Sequence, residues 1–527
     1  MSERILSFNF NFYTMTSITF YGGVNDVGGN KILVKSKETS VFLDFGKSFS
    51  LYKKFYSEFN NPRRFKDYLV MGLVPKLKGL YRVDLLKDAG YEAHEEPLFN
   101  AVFISHSHID HCGYVPFLDP RIPIVCSKET KKSMEAYEEI TQSSLERGIA
   151  EYVELYDTEE QIWPDIPYPK PTKKNPDRKP THKITVIKKR IEPPPIKRKF
   201  FTSNRVTIED IEIELFKVDH SVIDAHACLV HTRDSTIAYT GDLRFHGPLA
   251  EYSFEFIEKA KREGVDVLIT EGVRVNEETT LTEVDVEEKS IELLKGFKKL
   301  VFVDFSYRDL HRLKTFKKVA RRLGRILVTS KKYASYWKLL RDLDPSILDG
   351  IAIYQREKKR ERVKVRLPKS VMTIEDEEIR SHPENYIIHI NYFDFQKIID
   401  FSPSPGSIYL QSISEPFDEE GEIEAKKIDN WCEHFGLVQY RIHSSGHMSG
   451  PDFRWMVEEI NPKIVLPIHS TFENSLLMKR MFPKKVRVLK QEEAFEIEKK
   501  RVVRDESLDR LKEKPVKKRK KNLLDFL

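Results

Sequence analysis

The chain has 527 residues, of which 40% are hydrophobic and 32% are charged, and this ordinary globular balance excludes a largely disordered protein. The length predicts two or three domains. No apolar run approaches the roughly 20 residues that span a bilayer, and the first residues lack the layout of a signal peptide, so we expect a cytoplasmic protein without membrane contacts. The net charge is only +6, so any attraction for a polyanion must come from local clusters of charge.

The regular strand pattern begins at Thr16, where short apolar segments alternate with glycine turns. Residues 1–15 do not fit this pattern, and we interpret them as a misassigned start, with Met15 as the alternative first residue, or as a disordered segment. A strand that ends in FLDFG is followed over residues 47–100 by aromatic and basic side chains, which indicate an insertion. The next strand, AVFIS, leads into a histidine cluster.

The composition changes between Trp163 and Lys199, where nine prolines occur. From Lys170 to Lys199 there are 12 Lys or Arg against two acidic residues, which is a local charge of +10. Proline keeps such a segment extended, so this basic arm (residues 163–200) is either a solvated surface loop or a binding segment for phosphate groups. In the second case the contacts are Lys173, Lys174, Lys188, Lys189, Arg190, Lys197, Arg198 and Lys199.

Short apolar strands alternate with amphipathic helices after residue 247, beginning with the strand VDVLITE. This alternation predicts a second, mostly parallel α/β unit over 247–430. The strand IVLPIH near 464–469 again ends in a histidine, like the strands of the first unit, so we expect a discontinuous first domain. Its predicted parts are 16–246 and 431–500, and a basic tail covers 501–527.

The strongest motif is His106-Ser-His108-Ile-Asp110-His111, which places four metal-binding side chains within six residues after an apolar strand. Imidazole nitrogens and a carboxylate oxygen suit zinc, with manganese as the alternative. The H-x-H-x-D-H spacing is hard to obtain by chance. It therefore predicts a site for two divalent cations.

Together with later motifs, this spacing resembles the metallo-β-lactamase superfamily and its β-CASP branch, which includes ribonuclease J. The resemblance covers nearly the whole chain and implies an αββα sandwich with an inserted β-CASP α/β domain. It also implies that Asp44 orients a ligand histidine, and that Asp242 and a solvent molecule bridge the two metals. One metal would be held by His106, His108 and His220, and the second by Asp110, His111 and His469.

The β-CASP resemblance rests on Glu271 in ITEGV, His447 in HSSGH and His469 in LPIHS. It implies that His447 donates a proton or a hydrogen bond to the leaving oxygen and that Glu271 fixes its tautomer, beside Asp110 and Asp44 as catalytic residues. Glu271 is followed by Gly-Val, which departs from the Ser-Thr often found in the family. The loop formed by His443, Ser444, Ser445 and Gly446 is either a phosphate-binding loop or a plain β-α turn.

Other polar and sulfur-containing residues are expected to be structural. His389 lies inside an apolar strand, and His226 and His231 flank another. The four cysteines show no C-x-x-C spacing, so we expect buried thiols rather than a zinc site or disulfides.

These features predict a two-metal nuclease that hydrolyses RNA as a 5′–3′ exonuclease, an endonuclease or both. By resemblance, His469 favours RNA, because DNA-repair relatives carry an apolar residue there, and small-molecule members lack the large insert. The tail leaves open a DNA-processing nuclease that binds a sliding clamp through Leu523, Phe526 and Leu527, or else a disordered segment. A catalytically inactive nucleic-acid-binding subunit is a further alternative, which the intact metal-binding positions oppose. A homodimer is also left open.

Overall fold

The computed structural model describes residues 16–57, 60–141, 145–155, 159–162, 186–189, 195–354, 365–413, 419–497, 501–504 and 511. The segment 1–15, most of the basic arm and the clamp-motif residues of the tail lie outside these ranges. Among the predicted contacts of the arm, Lys173, Lys174 and Arg190 lie outside them as well, as do the side chains of Lys188 and Lys189. Within the described ranges, every helix is too short or too polar to cross a membrane.

The first sheet has eight strands and combines both ends of the described chain. Its strands in spatial order are β10 (Phe200–Phe201), β5 (Ile124–Val125), β4 (Ala101–Phe103), β3 (Thr39–Leu43), β2 (Lys31–Ser36), β1 (Ser17–Gly22), β24 (Glu493–Glu496) and β25 (Arg501–Arg504). Strand β24 pairs antiparallel with β1, with Phe495 opposite Ile18. The first sheet therefore joins strands from near both ends of the described chain.

The second sheet has six strands and carries most of the remaining site residues at its strand ends. In spatial order these are β11 (Arg205–Ile208), β12 (Ile211–Lys217), β13 (His226–His231), β14 (Thr236–Tyr239), β15 (Val267–Thr270) and β23 (Ile464–Pro467). Strands β14, β15 and β23 run parallel. Their carboxyl ends therefore lie at one edge, where Asp242, Glu271 and His469 follow.

The two sheets pack face to face because their strands alternate in side-chain direction. In β2, Ile32 and Val34 join the core between the sheets, whereas Leu33 joins the core beneath the helices on the outer face. A third core covers the outer face of the second sheet. The helices of this αββα sandwich are α1 (Phe49–Lys53), α2 (Phe65–Val70), α3 (Val83–Ala89), α4 (Ile109–Cys112), α5 (Lys128–Ile140), α6 (Ala250–Glu263), α13 (Gly450–Ile460) and α14 (Phe472–Met481).

The third sheet is entirely parallel and is covered by helices on both faces, as the sequence predicts for the inserted unit. Its strands in spatial order are β19 (Met372–Ile374), β18 (Ile351–Tyr354), β17 (Ile326–Thr329), β20 (Tyr386–His389), β16 (Val301–Asp304), β21 (Ile408–Gln411) and β22 (Val438–Arg441). Its helices are α7 (Glu283–Leu294), α8 (Leu310–Arg322), α9 (Lys331–Leu339), α10 (Asp376–Ser381), α11 (Gln396–Phe401) and α12 (Glu419–Phe435).

Shorter elements complete the described chain. Two-stranded pairs are formed by β6 (Glu151–Tyr152) with β9 (Ile196–Lys197), and by β7 (Glu159–Ile162) with β8 (Val186–Lys189). Three 3-10 turns cover Val115–Phe117, Pro383–Asn385 and Tyr392–Asp394. All four cysteines are buried and free, as expected.

The strand VDVLITE was expected to open the inserted unit, and this expectation is wrong. It forms β15, which pairs with β14 on one side and β23 on the other in the second sheet. At the other end, β22 belongs to the parallel sheet although it lies beyond residue 430. The apolar run of β15 suits a strand buried on both faces in either sheet, so its periodicity carried no information on which sheet it joins. We therefore propose that the inserted unit lies between β15 and α13 in the chain, and its boundaries remain a prediction.

Candidate metal centre

The H-x-H-x-D-H segment turns sharply from strand β4 into the short helix α4. His108 occupies the position before the helix, and its carbonyl oxygen accepts the amide protons of His111 and Cys112. The turn therefore presents His106 and His108 from the loop and Asp110 and His111 from the first helical turn. The neighbouring glycine segment is closely packed, since the amides of Gly29 and Asn30 donate to the carbonyl oxygen of Asp110.

Two neighbouring groups of potential metal ligands lie at the edge shared by the two sheets. The ligand atoms in each group lie within 4.8 Å of one another. The first group contains His106, His108, His220 and Asp242, and the second contains Asp110, His111 and His469. Asp242 and His469 also form a third possible group with His447. The structure thus brings together all seven residues that the resemblance assigns to metals.

Asp242 belongs to the first group and also faces the second. Its Oδ2 is 3.7 Å from Nε2 of both His106 and His220, and 3.6 Å from Nε2 of His469. The Nε2 of His111 is 3.2 Å from the same oxygen, without the geometry of a hydrogen bond. One carboxylate therefore faces ligands of both groups.

Asp44 lies behind His111 and not in either group. Its Oδ2 is 2.6 Å from His111 Nδ1, and its carboxylate accepts hydrogen bonds from the amide and hydroxyl of Ser105 and from the hydroxyl of Tyr239. Asp44 has a left-handed backbone with φ of 60°, an uncommon conformation for a residue other than glycine. His469 has φ of 48°, so two residues of the centre carry local backbone strain, which is frequent at functional sites.

Burial favours the neutral form of several of these imidazoles. It lowers the pKa of His220 and of His469 to about 3, and it also lowers the pKa of His106 and His108, which neighbouring histidines depress further. For His111, burial opposes the charged form, but the carboxylates of Asp242, Asp110 and Asp44 outweigh it and raise the pKa. Since neutral imidazole is the form that binds metals, the first group is ready to coordinate a cation without losing protons.

The donor set fits divalent cations such as zinc. In the described part of the protein, the buried Oδ1 of Asp242 has no hydrogen-bond partner, which is costly unless a cation or water satisfies it. Histidine nitrogens with a few carboxylate oxygens match the preference of zinc, and manganese also accepts such ligands.

His447 reaches the same edge from the HSSGH loop. Its Nδ1 lies 3.1 Å from Oε2 of Glu271, which is fully buried at the end of β15. Burial lowers the pKa of His447, but the Glu271 carboxylate outweighs this effect and raises it. The loop also contacts the first metal group, because His220 Nδ1 donates to the carbonyl oxygen of Gly446 at 2.6 Å.

Comparisons with known proteins agree with this geometry. Residues 99–290 match the family model of the metallo-beta-lactamase superfamily. Ribonuclease J of Pyrococcus abyssi (strain GE5 / Orsay) is 20% identical over 494 residues, which cover 87% of this chain and 90% of that protein. Residues 99–290 therefore match the metallo-beta-lactamase superfamily, and the homology of the chain to ribonuclease J is distant but extends over most of its length.

Two further comparisons extend over nearly the whole chain. Ribonuclease J of Helicobacter pylori (strain ATCC 700392 / 26695) is 21% identical over 496 residues, which cover 88% of this chain but only 58% of that protein. A crystal structure of a protein of unknown function from Enterococcus faecalis V583 superposes with a TM-score of 0.64 and 23% identity, covering 90% of this chain and 98% of that chain. The latter comparison supports the fold of nearly the whole chain.

Buried arginines hold the HSSGH loop through its carbonyl oxygens. Arg312 donates to the carbonyl of Ser444 at 2.8 Å, and Arg244 donates to the carbonyl of Ser445 at 2.9 Å. His443 accepts from Arg312, and burial together with this cation lowers the pKa of His443 to about 3. The buried hydroxyl of Ser444 has no partner among the described residues, so the loop retains free hydrogen-bonding capacity.

One predicted contact of the basic arm is wrong. Arg198 is buried, and its guanidinium donates to the carbonyl oxygens of Pro116, Leu118 and Gly148 at 2.9–3.0 Å. It therefore fixes the end of the arm to the first domain and does not face a ligand. Lys197 and Lys199 on either side are exposed, and Lys197 lies 3.4 Å from Glu151.

Sequence reasoning missed several residues that support the centre. Tyr239 contacts Asp44, Asp224 accepts the amide proton of Ser107 at 2.9 Å, and Arg308 contacts Ser107 from the inserted unit. Tyr239 and Asp224 lie within three or four residues of predicted ligands, a weak signal that could have been used. Arg308 lies 201 residues from Ser107 in the sequence, and no local pattern indicates the contact.

Proposed function

We propose that the protein is a two-metal-dependent nuclease that hydrolyses phosphodiester bonds in RNA. The observation that carries the proposal is the meeting of Asp242 with six other His and Asp side chains, in a chain similar to ribonuclease J over 87% of its length. A shared carboxylate between two groups of ligands suits a pair of cations that act on one phosphate.

The first cation would be held by His106, His108 and His220, the second by Asp110, His111 and His469, and Asp242 would contact both. When bound, the two ions would supply Lewis-acid activation of a water molecule and of the phosphate. Asp44 orients His111 from behind and disfavours rotation of its ring, because Nδ1 of His111 is engaged at 2.6 Å.

His447 is the proposed donor to the leaving oxygen. Glu271 engages its Nδ1, so the free Nε2 is available towards the centre, and the carboxylate favours the protonated ring. Glu271 is itself fully buried between β15 and the HSSGH loop. The pair therefore provides a proton donor whose orientation is fixed before the substrate binds.

Substrate contacts away from the centre are also proposed. The HSSGH loop, with the unpartnered hydroxyl of Ser444, would bind a neighbouring phosphate. Lys197 and Lys199 would continue a path for the RNA backbone towards the rest of the basic arm. Deleting residues 170–194, which spares the buried anchor Arg198, should weaken RNA binding and reduce its salt dependence, which a titration at several salt concentrations measures.

The decisive experiment uses matched single-stranded RNA and DNA oligonucleotides, each 5′-phosphorylated and labelled at one end. Each is incubated with the protein and zinc or manganese, and a parallel reaction contains EDTA. We expect degradation of RNA that EDTA abolishes, with product lengths that distinguish trimming from internal cleavage. Cleavage of DNA alone would instead support the clamp-linked alternative, and no metal-dependent cleavage of either would contradict the proposal.

A further inference from the structure

The inserted unit reaches the metal centre through the start of helix α8. Arg308 lies two residues before this helix, in the turn that follows β16, and Arg312 lies in its first turn. Both side chains are buried, with exposures of 8% and 0%. The two side chains extend from the inserted unit to two different loops of the metallo-β-lactamase domain.

Arg308 contacts the residue between the first two metal-binding histidines. Its Nη2 donates to the carbonyl oxygen of Ser107 and also lies 3.1 Å from the hydroxyl of Ser107. On the other side, the carboxylate of Asp224 accepts the amide proton of Ser107. The peptide between His106 and His108 is therefore held between a cation from the inserted unit and an anion from the first domain.

The surroundings of Arg308 keep its guanidinium in place. Its guanidinium carbon lies 4.8 Å from the centre of the Tyr137 ring, which belongs to α5 of the first domain. A charged hydrogen bond in such a water-poor contact is stronger than a neutral one. Loss of the guanidinium would leave the Ser107 carbonyl without this donor in a buried position.

Arg312 makes the equivalent contact with the loop of His447. It donates to the Ser444 carbonyl and to Nδ1 of His443, while a bidentate pair with Glu283 fixes its guanidinium plane. One helix start thus contacts both the loop of His106 and His108 and the loop of His447. Since the two arginines are four residues apart, a shift of α8 would move both loops together.

We propose that Arg308 is a positioning residue that couples the docking of the inserted unit to the geometry of the first metal site. Arg312 performs the same task for the loop that carries His447. This inference concerns metal binding and rests on the proposed function only for its expected effect on cleavage. A movement of the inserted unit that admits substrate would, by this coupling, also adjust the ligands of the metal.

Cobalt(II) is the probe for the test, because its visible spectrum reports the geometry of its ligands. We expect Arg308→Met to weaken binding of Co²⁺ alone to one site by about 10- to 100-fold and to shift the visible bands, as for other residues that support metal ligands. Arg308→Lys should recover part of both effects, because a cation still reaches Ser107. In cleavage assays kcat should fall while KM for RNA stays near the wild-type value, since a buried arginine does not touch substrate.

Arg325→Met is the matched control. Arg325 is also buried, and it donates to the carbonyl oxygens of Phe297, Lys299 and Tyr386, all inside the inserted unit. Its loss should lower thermal stability but leave Co²⁺ affinity and spectrum unchanged. A shift of the spectrum by this variant as large as that of Arg308→Met would show a general effect of stability and overturn the proposal.

The remaining outcomes also decide the question. A folded Arg308→Met protein with wild-type Co²⁺ affinity and spectrum would overturn the coupling. If Arg308→Met does not fold, Arg308→Lys and Ser107→Ala take its place, and wild-type spectra for both would overturn it equally. A wild-type protein that binds Co²⁺ but cleaves no RNA would contradict the proposed function and leave the coupling testable by affinity and spectrum.

Discussion

Buried histidines follow strands in both parts of the protein, but their ring nitrogens have different partners. In the parallel sheet, His389 has Nδ1 2.9 Å from the hydroxyl of Thr329 and Nε2 2.9 Å from the carbonyl oxygen of Phe305. In the metal centre, Nε2 of His106 lies 3.0 Å from Nδ1 of His108, so two rings point at each other. Fixed partners on both nitrogens identify a structural histidine, and convergent nitrogens identify a place for a cation.

The same contrast holds for two aspartates at strand ends. Asp44 in the first domain accepts hydrogen bonds from Ser105 and Tyr239 and contacts His111, so it is part of a polar network around the centre. Asp304 in the inserted unit accepts a hydrogen bond from the hydroxyl of Tyr409, and burial raises its pKa to about 7. Position after a strand therefore does not assign a role, whereas the surrounding groups do.

The largest effect is expected from the centre itself. Replacing Asp110 by Ala removes a carboxylate from the second ligand group, so RNA cleavage should fall by about 1,000-fold or more. RNA binding, measured by fluorescence anisotropy, should be largely retained because it depends on dispersed basic side chains. Asp342→Ala is the control, since the side chain of Asp342 is 80% exposed and pairs with Lys132 far from the centre. Undiminished cleavage by the Asp110 variant would contradict the assigned site.

A smaller loss is expected for the proton donor. We expect His447→Ala to reduce kcat by about 100- to 10,000-fold, the range typical of a positioned acid or base. Glu271→Gln should cause a smaller reduction, because the ring keeps its place but loses the carboxylate that favours its charged form. The exposed His434 provides the control variant His434→Ala. Equal activity of the His447 and His434 variants would rule out the proposed donor.

The stability of the inserted unit should depend on pH and not on bound metal. Since the pKa of Asp304 is about 7 in the folded protein and about 3.8 in the unfolded chain, its contribution to stability is present at low pH and is lost as the pH rises towards 7. Asp304→Asn should therefore gain stability over the wild type between pH 5 and pH 8, by at most about 3 kcal/mol at about 1.4 kcal/mol per pKa unit. Thermal denaturation at both pH values measures this change. If the difference in stability between Asp304→Asn and the wild type does not grow with pH, the raised pKa of Asp304 is contradicted.

The smallest effect on activity is expected for His389. His389→Asn should destabilise the protein by about 1–3 kcal/mol, because buried partners lose their hydrogen bonds. Cobalt binding and cleavage of the folded variant should equal those of the wild type. A changed cobalt spectrum would show that this histidine is linked to the centre after all.

Local motifs predicted which His and Asp side chains meet, but they predicted the relation between the two units poorly. The six-residue H-x-H-x-D-H segment fixes four ligands within one turn, so its spacing alone indicates the site. His220, Asp242 and His469 were identified by their order behind strands and by resemblance. Strand β15 and the contact from Arg308 to Ser107 depend on tertiary packing, for which hydrophobic periodicity carries no information.

The basic arm shows a second limit of composition. Twelve positive charges predict attraction to phosphates, but the count does not distinguish exposed side chains from a buried one that fixes the arm to the first domain. Arg198 is bound to three carbonyl oxygens in the interior, whereas its neighbours Lys197 and Lys199 are exposed. The difference comes from tertiary structure, because the first domain presents these three carbonyl oxygens to Arg198.

The pairing of β24 with β1 has a consequence for biosynthesis. Ile18 is synthesised 477 residues before its partner Phe495 (495 minus 18). The strands of the parallel sheet, from Val301 to Arg441, are complete before that point, so this unit can fold while the first sheet still lacks an inner strand. At a translation rate of about 5–20 residues per second, the edge of β1 stays unpaired for roughly 25–95 s. Chaperones that shield strand edges would therefore be needed most during this interval of synthesis.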